Sequence, residues 1–418
     1  MSSKQKHALS RVERVVPPLR FPEFEEEWTI ENLGSLAENL SNRRIPITSN
    51  KREKGDIPYY GATGVIDYVK DFIFDEELLL ISEDGANLLD RNYPIAYSIS
   101  GKTWVNNHAH VLKFENKSTE ILVQKYINSN SVEEYLTGKA QPKLNRRNLE
   151  RIRIPLAKNP AEQQKIANCL SSLDEVITAE TEKLDLLQDH KKGLLQQLFP
   201  NPMVNGETMV NGETMVNDET HNSQFTIHNS KVPKFRFPEF VNDGEWEETT
   251  LEKCLDYLQP TPYLVSSTDY DDKFETPVLT AGKTFILGYT DEKEGIFDKN
   301  LPVIIFDDFT TASKFVDFLF KAKSSAMKIL LAKDDNNIKF MFEAIQNLKF
   351  EVSTHKRHWI SVYSKLNILR PKDPKEQQKI AACLSAADEL IAAQEEKIEQ
   401  LQEHKKGLMQ QLFPNHNP

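Results

Sequence analysis

The sequence predicts an α+β protein: two mixed α/β domains separated by two long helices that form an antiparallel coiled coil. Three observations carry this. Residues 160–201 read PAEQQKIANCLSSLDEVITAETEKLDLLQDHKKGLLQQLFPN and residues 374–415 read PKEQQKIAACLSAADELIAAQEEKIEQLQEHKKGLMQQLFPN, with 29 of 42 positions identical at an offset of 214. Both copies space their apolar residues three and four apart, the period of a helix with one buried seam. The regions in front of the copies are far less alike, so a repeated scaffold carries two different loads.

In chain order the plan is a tail (1–17), a first domain (18–159), a helix (160–200), a linker (201–232), a second domain (233–373) and a second helix (374–414). Each domain opens on a signature. Arg20-Phe21-Pro22-Glu23-Phe24 is followed by Trp28 and Leu33, and Arg236-Phe237-Pro238-Glu239-Phe240 by Trp246 and Leu251. Short apolar runs at 72–74, 78–81 and 108–112 read as strands, as do 303–306 and 327–331; helical patches at 121–136 and 337–348 follow. A loose alignment of the two domains sets Asp84 near Asp308. The linker holds MVNGET, MVNGET, MVNDET at 203–220. Its Asn, Gly and Thr disfavour helix and offer no core face, which predicts a flexible connector.

Each helix is punctuated by a proline at its start (Pro160, Pro374), an acid in its first turn (Glu162, Glu376) and a proline at its stop (Pro200, Pro414). About 38 residues at about 1.5 Å each span roughly 57 Å. Two polar residues interrupt each seam: Glu180 and Lys191, then Gln394 and Lys405. One antiparallel register sets Glu180 opposite Lys405 and Lys191 opposite Gln394, and leaves apolar layers from Leu173–Leu412 to Leu194–Ile391. Buried polar residues fix register in this way.

The net charge of −11 is concentrated: the two helices and the linker carry −3, −2 and −3, so the domains are closer to neutral and can hold basic patches. Three scattered cysteines build no disulfide framework and no zinc spacing. The chain shows neither a signal-peptide core nor a membrane-length apolar run, which predicts a soluble cytoplasmic protein.

Catalytic motifs fail on inspection. Gly101-Lys102-Thr103 and Gly282-Lys283-Thr284 lack the glycine that a phosphate-binding loop needs five positions earlier. His108 and His110 could share one strand face but have no third metal ligand. Asp307-Asp308 with Lys321 and Lys323 lacks the spacing of a metal-dependent nuclease. Basic residues are better placed. Lys143, Arg146 and Arg147 stand before the first helix, with Lys139, Arg151 and Arg153 beside them; Lys356 and Arg357 stand before the second, with Lys365, Arg370 and Lys372. Such stretches suit phosphate contacts on a DNA duplex. Lys102, Thr103, Asn106, Asn107 and His108 in one domain, and Lys321, Lys323, Ser324 and Ser325 in the other, match donors and acceptors on base edges. Arg43 and Arg44, with Lys51 and Arg52, form a further patch.

Taken together, the duplicated PxEQQKIAxCLSxxDExI…HKKGLxQQLFPN segment, the FPEF…W openings and the paired variable regions resemble the specificity (S) subunit of type I restriction–modification enzymes, over essentially the whole chain. The resemblance implies two target recognition domains, each reading one part of a split double-stranded DNA sequence. It implies that the helices set the gap between half-sites and dock methyltransferase (M) subunits, and that restriction/translocase (R) subunits complete the complex. It also implies no catalytic centre and no cofactor on this chain, with S-adenosylmethionine, Mg²⁺ and ATP used by partner subunits. The hexapeptide repeat departs from the minimal pattern. It follows the first helix instead of lying within it, which argues against a role in spacing. The alternative is an S-like DNA-recognition subunit of a methylation-only system; a coiled-coil adaptor with no DNA role is a third reading, and an independent endonuclease a fourth.

Overall fold

The computed structural model describes residues 16–138, 141–200, 203–204, 207–208, 231–282, 284–348, 350, 359 and 362–414. The chain divides into two compact units, Met1–Thr181 with Glu396–Pro418, and Glu182–Glu395. This division differs from the one read from the sequence. Each unit takes the beginning of one long helix and the end of the other, because the helix ends contribute to the domain cores.

Unit 1 runs β1 (Thr29–Asn32), α1 (Leu33–Leu36), β2 (Glu38–Asn39), β3 (Lys54–Gly61), β4 (Gly64–Val69), β5 (Phe74–Asp75), β6 (Leu78–Ser82), α2 (Asn87–Asp90), β7 (Ala96–Ile99), β8 (Lys102–Val105), β9 (Ala109–Lys113), α3 (Lys117–Ser129), α4 (Arg146–Glu150) and β10 (Arg153–Leu156), then enters α5 (Pro160–Leu198). Strands order as β2-β9-β6-β7 in an antiparallel sheet and as β4-β3-β8-β5 in a second sheet, while β1 pairs with β10. Every residue of β6 is buried. This explains why its sequence, LLLIS, is a continuous apolar run without polar alternation. Asn116 caps α3, its side chain accepting from the amides of Ser118 and Thr119.

The connector contributes one described piece, β11 (Met203–Val204) paired with β12 (Glu207–Thr208). The rest of the hexapeptide array, 205–206 and 209–220, lies outside the described residues.

Unit 2 holds β13 (Glu247–Thr250), α6 (Leu251–Cys254), β14 (Leu255–Leu258), β15 (Thr276–Leu279), β16 (Ile286–Thr290), β17 (Val303–Asp307), β18 (Ser313–Val316), β19 (Lys321–Ala322), β20 (Met327–Ala332), α7 (Ile338–Asn347) and β21 (Asn367–Arg370), followed by α8 (Pro374–Leu412). Its sheets order as β14-β20-β17-β18 and β16-β15-β19, with β13 on β21. This repeats the strand order of unit 1, except that the second sheet has three strands instead of four; it keeps one parallel pairing in that sheet (β3 with β8, β15 with β19). The low sequence similarity of the two domains therefore hides one topology.

The opening signatures are the ties between each domain and its helix. Glu162, wholly buried in the first turn of α5, accepts from Arg20 at 2.7 and 2.8 Å and from the Trp28 indole at 3.2 Å. Glu376 in α8 accepts from Arg236 at 2.8 and 2.7 Å and from Trp246 at 3.2 Å. A carboxylate at a helix N-terminus also meets the favourable end of the helix dipole.

A second tie repeats at the 214-residue offset. In unit 1 Asp174 of α5 binds Lys125 of α3 and, at 2.5 Å, Lys405 of α8. In unit 2 Asp388 of α8 binds Lys339 of α7 at 2.6 Å and Lys191 of α5 at 2.6 Å. Burial pushes both carboxyls up, but the lysine hydrogen bonds outweigh it and hold them below the ordinary carboxylate range.

Within unit 1 the α5 and α8 segments run in opposite directions: Asp174 meets Lys405, and Glu180 further along meets Lys397, nearer the start of α8, at 2.6 Å. The predicted register is corrected here. Where that register set Lys405 and Gln394, Glu180 meets Lys397, and Lys191 meets Asp388 and, at 3.4 Å, Glu343. Leu412 shares its core with Ile166 and Leu170 instead of Leu173. The slip is roughly one heptad, which leaves an apolar stripe facing an apolar stripe. Acids beside the seam and on α7 select the register, and a reading confined to seam positions omits them.

Candidate nucleic-acid interface

The sheet topology gathers part of the predicted set around one carboxylate in unit 1. β6 delivers Glu83 just past its last residue, and β9 is entered through Asn106, Asn107 and His108. Glu83 lies 2.7 Å from Arg44, 3.2 Å from Lys143 and 3.7 Å from His110. Burial raises the Glu83 carboxyl, but Arg44, His110 and Lys143 overcome this and hold it below the usual range. Arg44 also donates to the carbonyls of Asn107 (3.3 Å) and Ala109 (2.7 Å), which pins the loop. His108 donates its amide to Asn106 Oδ1 at 2.8 Å, and its ring meets Asp84 at 2.8 Å. Asn107 and His108 are exposed at this edge, as is Lys143.

Other predicted residues have different places. Thr103 and Asn106 are buried and cannot reach a base edge; Asn106 shapes the loop instead. Arg44 is mostly buried in its pairing, with 15% of its side chain exposed. Arg43 is tied to Glu76 at 2.7 Å and lies over the Phe74 ring. Lys102 is exposed, its ammonium 4.9 Å from the Phe72 ring centre. Arg146 pairs with Glu150 one helical turn on, while Arg147 is exposed. His110 does not join His108 on an accessible face: it is buried, donates Nε2–H to the Leu144 carbonyl at 2.7 Å, and burial lowers its pKa.

In unit 2 Lys321 is a structural residue. It is buried, 2.5 Å from the Glu294 carbonyl and 3.1 Å from Glu292, a carboxylate brought down to about 2, against the effect of burial, by the Ser267 amide, Lys321 and Ser266. Lys323 is half-buried over Tyr270, and Ser324 and Ser325 are exposed. Lys356 and Arg357 lie outside the described residues, as does Lys139. Asp308 is no metal ligand in waiting: it is buried with Lys328 at 3.2 Å and accepts from the Trp359 amide at 2.9 Å. Among the described residues no group of His, Cys, Asp and Glu could hold a metal ion. No described helix is long and apolar enough to cross a membrane.

Sequence reasoning missed Glu83 and Asp84. The signal was present, since acids follow the apolar runs at both 78–82 and 303–306. The alignment, however, set Asp84 against Asp308. The ladders correct this by one residue: Ile81 pairs with His110 as Phe306 pairs with Lys328, so Glu83 corresponds to Asp308.

Residues 25–189 match the family of the type I restriction modification DNA specificity domain. A type I restriction enzyme specificity subunit from Escherichia coli is 47% identical over 156 residues, covering 36% of this chain and 39% of that protein. The specificity subunit of the type I restriction enzyme MjaVIII from Methanocaldococcus jannaschii is 24% identical over 94% of this chain and 93% of its own length. The chain is thus similar to specificity subunits of this kind, most strongly over part of its length. A putative type I specificity subunit from Haemophilus influenzae, 37% identical, aligns over 33% of its length, so the stronger sequence matches span well under half of those relatives. The crystal structure of an S subunit from M. genitalium superposes with a TM-score of 0.65 at 12% identity, covering 96% of this chain and 100% of that one. At that identity the superposition shows a shared fold alone.

Proposed function

We propose that this chain is the DNA sequence-specificity subunit of a type I restriction–modification complex in the cytoplasm. Unit 1 and unit 2 each read one part of a bipartite double-stranded target. α5 and α8 pair as an antiparallel coiled coil, space the two readers and dock the methyltransferase and restriction subunits. The chain is non-catalytic, and S-adenosylmethionine, Mg²⁺ and ATP serve the partner subunits.

The observation that supports this best is one sheet order built twice on repeated helices, with different residues exposed at the sheet ends. Keeping the scaffold and varying the exposed edge suits two readers of unlike half-sites. Exposed cations such as Lys102, Lys143 and Arg147 suit the phosphates alongside. Two tethered readers gain affinity only when both half-sites fit the span, which gives a split target its specificity. Genome-wide methylation mapping tests the proposal in a host carrying this gene with its methyltransferase, against a deletion of the gene. One gene-dependent bipartite motif with an unspecified middle is expected. Methylation that is the same with and without the gene refutes it.

A further inference from the structure

We infer that the end of the β6–β9 ladder in unit 1, and of the matching β17–β20 ladder in unit 2, is the base-reading edge, and that in unit 1 the reader is His108 held by Asp84. This rests on the DNA-reading function proposed above. The β6–β9 ladder closes at Ser82 and Ala109, and the Glu83 amide then donates to the His108 carbonyl at 2.8 Å. Just past this point His108 Nδ1 lies 2.8 and 3.1 Å from the two Asp84 carboxylate oxygens. An ionised carboxylate only accepts, so Nδ1–H is the donor, which in a neutral imidazole leaves Nε2 as an acceptor. The ring is half exposed. An acceptor presented there matches the exocyclic amino group of adenine or cytosine in the major groove. The bonds from Asn106 and Arg44 fix the loop before any ligand arrives, so little ordering is left to oppose binding.

Unit 2 has the same edge with different chemistry. Its ladder closes at Asp307 and Met327, and the Asp308 amide donates to the Ala326 carbonyl at 3.2 Å. The carboxylate-and-cation pair beneath is kept, as Asp308 with Lys328 in place of Glu83 with His110 and Arg44. The residues just past the ladder are not kept. Phe309 stands where Asp84 stands, and Ala326 where His108 stands. Phe309 is 40% exposed, and such a ring suits a thymine methyl group. A retained, mostly buried charge pair beneath a changed, more accessible pair is what a specificity position requires.

The test maps methylated motifs in hosts expressing the M subunit with His108→Ala, Asp84→Ala or Phe309→Ala. His108→Ala and Asp84→Ala are expected to relax the same single base pair in one half-site, by roughly 10- to 100-fold in relative methylation. The other half-site stays intact and reports that the complex is folded. Phe309→Ala is expected to relax one position in the opposite half-site. An unchanged motif in His108→Ala overturns the inference, and so does uniform weakening at every site, which marks a phosphate contact. Should His108→Ala abolish methylation, His108→Asn decides: altered base preference at one position supports the reading, and an unaltered motif refutes it. If the wild-type chain directs no motif at all, the DNA-reading function itself fails, which is a separate result.

Discussion

Glu376 ties unit 2 to the first turn of α8. Its side chain is 1% exposed and its main partner, Arg236, 7% exposed. Removing the carboxylate leaves a buried guanidinium and the Trp246 indole without their acceptor. Glu376→Ala is expected to cost about 3 kcal/mol, near the lower bound for breaking a buried pair. Lys379→Ala, which removes an exposed pair with Glu239, is expected to cost under about 1 kcal/mol. Denaturant midpoints of the two variants measure the contrast; equal midpoints contradict it. The same distinction explains which predicted interface residues failed. Thr103, Asn106 and Lys321 carry the polar chemistry of base readers, but residue type does not report burial. Two of the three use that chemistry inside the protein: Asn106 shapes its own loop, and Lys321 neutralises Glu292.

At the scale of elements, the long helices were legible because their signals are local. Prolines bound them, acids fill their first turns, and the seam is continuous; the observed Pro160–Leu198 and Pro374–Leu412 follow from these. The register was not legible, because sliding by a heptad keeps apolar against apolar. Asp174 and Asp388, each joined to two lysines, supply the missing preference. Asp174 is expected to contribute about 1 kcal/mol, since its side chain remains 29% exposed. Its folded pKa lies below the unfolded value of about 3.9, so this contribution is complete above that pH and is lost as pH falls toward the folded pKa. Asp174→Asn should therefore lower the unfolding midpoint at neutral pH, by a difference that shrinks below about pH 4. A difference that grows with acidification contradicts the assignment.

At the scale of the molecule, the connector between the halves begins and ends at one place in unit 2. The Phe235 amide donates to the Gln197 carbonyl at 3.0 Å, so the chain leaves the end of α5 and returns beside it. Loop-closure cost changes slowly with length. Deleting the hexapeptide array at 203–220 is therefore expected to leave the methylated motif and its internal spacing unchanged, as read by methylation mapping; an altered gap contradicts this. The corresponding junction in unit 1 joins Leu19 to Gln411 at 2.9 Å, so both units are closed by the same contact.

The sequence by itself determined the duplication, the extent of the two helices and the chief buried strands, because each is written in local periodicity or in a repeated motif. Only the tertiary structure decided which polar residues face outward, which acid meets which lysine, and that Glu83 and Asp84 lie at the sheet end beside Arg44 and His108. Those outcomes depend on groups brought together from distant parts of the chain, and burial and charge pairing are settled by such neighbours.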